Sequence, residues 1–113
     1  MRYLYRAKLV RVVDGDTVDL DIDLGFYMTT RQRIRLEGID TPERGQPGFS
    51  EATEFVVRWF ESSGGNCLID TYKTGKFGRW LGELWADDPT VDLTQVSLNT
   101  LLISAKLATV YGS

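Results

Sequence analysis

From Thr17 to Leu24 the chain alternates without a break: Val18, Leu20, Ile22 and Leu24 are apolar, and Thr17, Asp19, Asp21 and Asp23 are polar. A period of two belongs to a β-strand with one dry and one wet face, and a helix cannot gather those four apolar side chains on one stripe. Such a strand needs neighbours on both sides. Val12-Val13 followed by Asp14-Gly15 is a strong hairpin signal, so residues 3–13 read as the preceding strand. Residues 30–36, where Ile34 and Leu36 alternate with Arg31, Arg33 and Arg35, read as the following one. The first third of the chain is therefore expected to form a three-strand meander.

Residues 44–48 are a loop by composition, and Ser50 is an acceptable N-cap for a helix carrying Ala52, Phe55, Val56, Trp59 and Phe60 on one face. Ser62-Ser63-Gly64-Gly65 ends it. Two more strands are expected over 67–72 and 80–85. Leu98, Leu101, Leu102 and Ala105 then recur at helical spacing. The order points to a β-barrel with helices (α+β) of the OB-fold type. It has five strands, a helix between strands 3 and 4 and a second helix after strand 5. No linker or repeat interrupts residues 1–113, which are expected to form a single domain.

Composition narrows the chemistry. With 42% hydrophobic residues the chain can build one modest core, and its single cysteine, Cys67, leaves that core without an internal disulfide. Cys67 lies in an apolar run and reads as a buried small hydrophobe, not a nucleophile. There is no histidine, which removes the commonest general base and any plausible zinc site. Catalysis here would have to use carboxylates, arginines and hard cations. Charges recur through the first eight residues where a secretory signal needs an apolar stretch, and no run of membrane length follows. A soluble protein without membrane association is expected, cytoplasmic in location, with secretion of a processed form as the alternative. The net charge of −3 is unusual for a binder of nucleic acid, since basic surface normally supplies the non-specific attraction to phosphate.

Asp16 shares the phase of Val18, Leu20 and Ile22, which would turn its carboxylate toward the barrel. A bound cation is one way to offset that desolvation. Asp19, Asp21 and Asp23 have the opposite phase and read as a solvated face. They do not form an EF-hand, because the loop glycine is misplaced and the twelfth position, Thr30, is not acidic. Asp40-Thr41-Pro42-Glu43 follows the third strand, where a barrel can collect side chains from several segments, although two carboxylates around a proline are also ordinary turn chemistry. Arg31, Arg33 and Arg35 are compatible with a plain wet strand face, and Arg79 with a charge ending a glycine turn.

Taken together, three segments resemble the active-site motifs of the staphylococcal nuclease (thermonuclease) family. They are Val13-Asp14-Gly15-Asp16-Thr17-Val18, Arg35-Leu36-Glu37-Gly38-Ile39-Asp40-Thr41-Pro42-Glu43 and Lys76-Phe77-Gly78-Arg79. Asn99-Thr100-Leu101-Leu102 and Leu107-Ala108 are similar to the family's asparagine-bearing segment, so the resemblance spans nearly the whole chain. It implies a Ca²⁺-dependent phosphodiesterase acting on DNA and RNA, single strands preferred, as a monomer. Position by position it implies Asp16 and Asp40 as calcium ligands through carboxylates and Thr41 through its carbonyl. It makes Glu43 the residue that activates or orients water, and Arg35 and Arg79 the forks on phosphate. Lys76, Phe77 and Tyr111 fall at substrate-binding positions. Phe77 lacks the hydroxyl of the family's tyrosine, and Lys106 stands where the family commonly has glycine. From its apolar neighbours alone, Tyr111 reads as a core aromatic. Arg31, Arg33, Arg44, Lys73 and Lys76 are expected to make a basic groove around the site. Two other classes fit parts of the pattern: a non-catalytic OB-fold module binding nucleic acid or protein, and a calcium-stabilised structural domain, which has no need of Arg35 and Arg79.

Overall fold

The computed structural model describes residues 4–74, 79–87 and 96–111, with backbone alone for residues 73, 74 and 79. Its elements are β1 (Tyr5–Asp14), β2 (Thr17–Gly25), β3 (Met28–Leu36), β4 (Ile39–Asp40), α1 (Phe49–Glu61), β5 (Asn66–Thr74), β6 (Arg79–Ala86), α2 (Leu98–Ser104) and β7 (Thr109–Val110). Five strands close a barrel in the order β1-β2-β3-β6-β5. The β3–β6 seam is parallel and the others antiparallel. This is the expected OB-type barrel, with α1 between its third and fourth strands.

The alternation of β2 works as read over most of its length. Val18, Leu20 and Ile22 are buried beside Ile34 and Leu36 of β3. Leu24, expected on the same dry face, is instead 46% exposed. The cause is the reach of the neighbouring strands: β1 pairs with β2 no further than Ala7 opposite Ile22, and β6 meets β3 only over Ile34–Leu36. Beyond those points the β2–β3 hairpin extends past both neighbouring strands, and none of the described strands covers it. Gly82, on β6, fills the opposite requirement. A Cβ there would lie 2.8 Å from Ile34 Cγ2 and 3.0 Å from Ile69 Cδ1, so the interior has no room for one.

Helix α1 closes the barrel with Ala52, Val56 and Phe60 buried and Phe55 and Trp59 packed half-buried against the same core. Burying Val56 and Phe60 stabilises the helix by roughly 1.5–3 kcal/mol each. Its N-cap is Gly48, at φ 90°, and not Ser50, which lies inside the first turn. The Gly48 carbonyl accepts the Ala52 N–H at 3.0 Å, and only a residue tolerant of the left-handed region makes that entry without strain. Helix α2 has the more usual start: the Ser97 hydroxyl accepts the Thr100 N–H at 3.2 Å. It ends before Ala105, which caps it and is exposed, so the dry stripe reduces to Leu98 and Leu102.

Asn99 is buried on α2 and ties three segments together. Its Nδ2 donates to the carbonyls of Glu37 and Gly82 at 2.9 and 3.1 Å, and its Oδ1 accepts from Leu84 N–H at 3.3 Å. Cys67 is fully buried, as its apolar context implied, and burial, with the charge of Asp87 adding to it, pushes its thiol up to about 12. Among the described residues no helix is long and apolar enough to cross a membrane.

Candidate active site

Where β1 turns into β2, Gly15 passes directly under α1. A Cβ on it would meet Ala52 Cβ at 2.8 Å and Thr41 Oγ1 at 2.9 Å. That close approach brings Asp16 against the segment after β3. Asp16 accepts the Thr41 N–H on Oδ2 at 3.2 Å and the Thr17 hydroxyl on Oδ1 at 3.0 Å. Its carbonyl accepts from Leu36 N–H at 2.7 Å. The side chain is only 14% exposed, and it turns toward the outward-facing Arg35.

Arg35, on the outward face of β3 and only 18% exposed, reaches both acids. Its Nη2 donates to Asp40 Oδ1 in a short contact and lies 3.7 Å from Asp16 Oδ2. One guanidinium nitrogen thus sits between two carboxylates contributed by different turns. Burial pushes the Asp16 carboxyl up, but the contrary pull is larger. Hydrogen bonding from Asp14, the Thr41 N–H and the Thr17 hydroxyl, together with the Arg35 charge, holds it below the usual carboxylate range.

Asp14 is a participant that the strand pattern gave no reason to single out. Its Oδ1 accepts the Asp16 N–H at 3.1 Å, and it lines the same cavity. Burial, followed by its hydrogen bond and charge repulsion with Asp16, raises its own carboxyl. The signal was present as two acids separated by one glycine, which a tight turn brings side by side.

The cavity over this cluster encloses about 1080 Å³. Asp16, Arg35, Asp40, Thr41 and Glu43 all line it, so the turn and strand-end segments singled out in the sequence converge on one space. Glu43 is exposed on the rim, in a turn closed by Gln46, whose Oε1 accepts the Glu43 N–H at 2.8 Å and whose N–H donates back to the Glu43 carbonyl at 2.9 Å. The far wall comes from Trp80 and from residues 106–109. Lys106, standing where glycine is common, holds φ at 61° just past α2. That is the left-handed helix-ending conformation glycine usually supplies.

Two expectations change here. Tyr111 is not a core aromatic: it is 62% exposed, and the Arg35 guanidinium lies 5.0 Å from its ring centroid. The reason is the short β4–β7 ribbon, too brief to show a sequence period. It pairs Ile39 with Val110 and Asp40 with Thr109, and the Tyr111 N–H donates to Gly38 at 2.9 Å. Arg31 and Arg33, expected in a basic groove, are instead occupied across the hairpin. Arg31 binds Asp21 at 2.8 Å and Arg33 binds Asp19 at 2.9 Å. Arg44 lies over the Phe49 ring at 5.5 Å. Lys76 and Phe77, and the side chains of Lys73 and Arg79, lie outside the described residues. Among the described residues, no three acid, histidine or cysteine side chains cluster as a cation cage.

The family model of staphylococcal nuclease homologues matches residues 33–113, a stretch that takes in Arg35, the 40–43 segment and Asn99. The chain belongs to the staphylococcal nuclease homologue family. Among similar proteins are Protein ParB of Escherichia coli, 32% identical over 82 residues, and a thermonuclease of Staphylococcus hyicus, 31% identical over 84 residues. They cover 73% and 69% of this chain, and 42% and 47% of their own lengths. A micrococcal nuclease of Shigella flexneri is 27% identical over 111 residues, covering 95% of this chain and 59% of itself. The chain thus spans about half the length of the curated relatives it matches. The Asp14–Thr17 turn lies outside the stretch matched by the family model, and the geometry above joins it to the matched part.

Proposed function

We propose that this protein is a calcium-dependent phosphodiesterase that cuts DNA and RNA with little sequence preference, favours single strands and leaves 3′-phosphate and 5′-hydroxyl ends. The observation that carries this reading is the Arg35 guanidinium held between Asp16 and Asp40 inside a cavity rimmed by Glu43. A calcium-stabilised structural domain would use Asp16 and Asp40 but has no need of Arg35 and Arg79 near the metal, and a binding module has no need of a carboxylate such as Glu43 on the rim.

The donor set fits a hard cation. Asp16 and Asp40 line one cavity with Thr41, and their carboxylates, with the Thr41 carbonyl as the resemblance implies, would hold the ion and leave the remaining places of a six- to eight-coordinate Ca²⁺ for water and phosphate. Bound there, calcium would supply positive charge that polarises a phosphoryl oxygen and favours ionised water. The protein's own groups do the rest. Arg35 and Arg79 orient the phosphate through paired N–H groups and offset the charge that builds on its oxygens. Glu43 takes the proton of the attacking water as the water oxygen bonds to phosphorus, and the bond to the 5′ oxygen breaks with that oxygen taking a proton from solvent water to leave as a hydroxyl. Tyr111 contacts the substrate beside Arg35, and Lys76 and Phe77 bind it as the family resemblance implies. The chain acts as a single domain and a monomer.

Digestion of denatured plasmid DNA with added Ca²⁺ and then with EGTA, followed by end-group analysis, tests the reading. Cutting that needs calcium and leaves 3′-phosphates is expected. Binding without cutting would overturn it in favour of a non-catalytic module.

A further inference from the structure

The β2–β3 hairpin closes through a two-residue loop, because Gly25 pairs with Met28. The loop residues are Phe26 and Tyr27, with φ of 52° and 60°. Two successive left-handed residues are the mark of a type I′ turn, which favours Asn-Gly and is strained by any large side chain. Both rings are fully in solvent, at 96% and 108% exposure, so no packing within the chain compensates. Leu24 and Met28 beside them are also exposed. Folding accounts for none of these choices, and such rule-breaking without internal gain points to function.

The position of the tip says what it meets. On the outward face of the hairpin, Thr17 lies opposite Arg35, Asp19 opposite Arg33 and Asp21 opposite Arg31. Thr17, Arg33 and Arg35 line the cavity, so this face leads from the cavity to the tip without interruption. From Arg33 to Tyr27 the path is about 20 Å at ~3.3 Å per residue. A single strand held by an OB-fold typically covers about 4–16 nucleotides, enough to span it. Along the way Arg31 and Arg33 are already bound to Asp21 and Asp19. Grip on a strand leaving the cavity in this direction must therefore come from contacts that need no charge, and stacking of bases on exposed rings is such a contact.

We propose that Phe26 and Tyr27 form a base-stacking platform for single-stranded nucleic acid outside the cavity, giving the protein a preference for long strands over short ones. The proposal rests on the nuclease reading, since the strand is led from the cleavage cavity. A lipid surface or a second copy of the chain would be served by the apolar tip alone and would make no use of the path that joins it to the cavity.

The test is the double substitution Phe26→Asn, Tyr27→Gly, which removes both rings while installing the pair the turn prefers. The thermal midpoint is expected to rise by several degrees, so loss of binding cannot be ascribed to misfolding. In a Glu43→Gln background with Ca²⁺, fluorescence anisotropy should show a labelled 16-residue oligothymidylate bound roughly 5- to 100-fold more weakly by the tip variant. That factor should be the same at low and high salt, and a four-residue oligothymidylate should bind equally to both. Unchanged affinity for the 16-mer overturns the proposal. So does a wild-type dimer in sedimentation, or binding to phosphatidylcholine–phosphatidylglycerol vesicles, that the tip variant loses without change in 16-mer affinity. If the wild type cuts DNA and the tip variant behaves identically, only the platform fails. If the wild type binds the 16-mer through the tip and never cuts, the nuclease reading fails and the platform stands.

Discussion

At one end of β2 the chain turns through Asp14-Gly15-Asp16, with Gly15 pressed between Ala52 and Thr41 and every carboxylate in a hydrogen bond. At the other it turns through Phe26-Tyr27, with two large rings forced into left-handed backbone and nothing around them. The first turn uses the residues its geometry asks for and is pinned on all sides. The second uses residues its geometry opposes and is pinned by little besides Asp23, whose Oδ1 accepts the Gly25 N–H at 2.8 Å. The contrast separates two ways of building a turn: setting a charge cluster into packing, and exposing side chains at a cost in local strain.

The sharpest way to break the comparison is to move the chemistry. Glu43→Gln or Arg79→Ala should lower kcat by roughly 10²–10³-fold, about 3–4 kcal/mol, with circular dichroism and melting unchanged. The tip variant should leave turnover on the four-residue substrate untouched. Full activity in either of the first two would mean that the pinned end is not the catalytic end.

Stability should respond in opposite directions at the two turns. Gly15→Ala adds a methyl where 2.8 Å is available and should cost about 1–3 kcal/mol in urea unfolding, with loss of activity as Thr41 and Asp16 part. Phe26→Asn with Tyr27→Gly should gain about 1–2 kcal/mol. Shifts of the same sign would erase the distinction between them.

Cys67 reports on the barrel that both turns share. Its native thiol, at about 12, lies above the unfolded value of about 8.5, so the proton it holds supports the fold fully below pH ~8.5. That support is lost as pH rises toward 12, and urea midpoints should fall across the same window. Native protein at pH 8 should resist a thiol reagent; Gly15→Ala should react faster, and the tip variant should not.

The smallest effects belong to the hairpin between the turns. Hydrogen bonds from Arg33 and Arg31 hold Asp19 and Asp21 below the usual carboxylate range, so what stability they give is present at neutral pH and fades as pH falls through those depressed values. Because the arginine of each pair is largely exposed and screened by solvent, Asp19→Asn or Asp21→Asn should barely move the urea midpoint at pH 7 and should flatten its decline in acid.

The same contrast explains what could be read in advance. Asp14-Gly15 is a turn by composition, so the strand phase beyond it and the barrel order were legible. Phe26-Tyr27 carries no turn signal, and without the loop the hairpin register was out of reach. Once Gly25 is opposite Met28, Asp21 must face Arg31 and Asp19 must face Arg33, and these two of the expected groove residues become ion pairs. The α1 cap was missed because Gly48 does its work through backbone freedom, while Ser50 only looks the part. The β4–β7 ribbon is two residues long on each side, shorter than any period, and it decides where Tyr111 goes.

That ribbon has a consequence for the order in which the molecule is made. Asp40 is paired by Thr109, and the loop after Arg35 by Tyr111, so residues synthesised early wait for residues synthesised some seventy positions later. While it is being translated, a chain can assemble all five barrel strands before it has the segment that braces its acidic cluster, and a chain stopped after Ala108 should fold yet cut poorly. The brace on the acidic cluster is therefore the last of these contacts to become available, long after the strands it rests on.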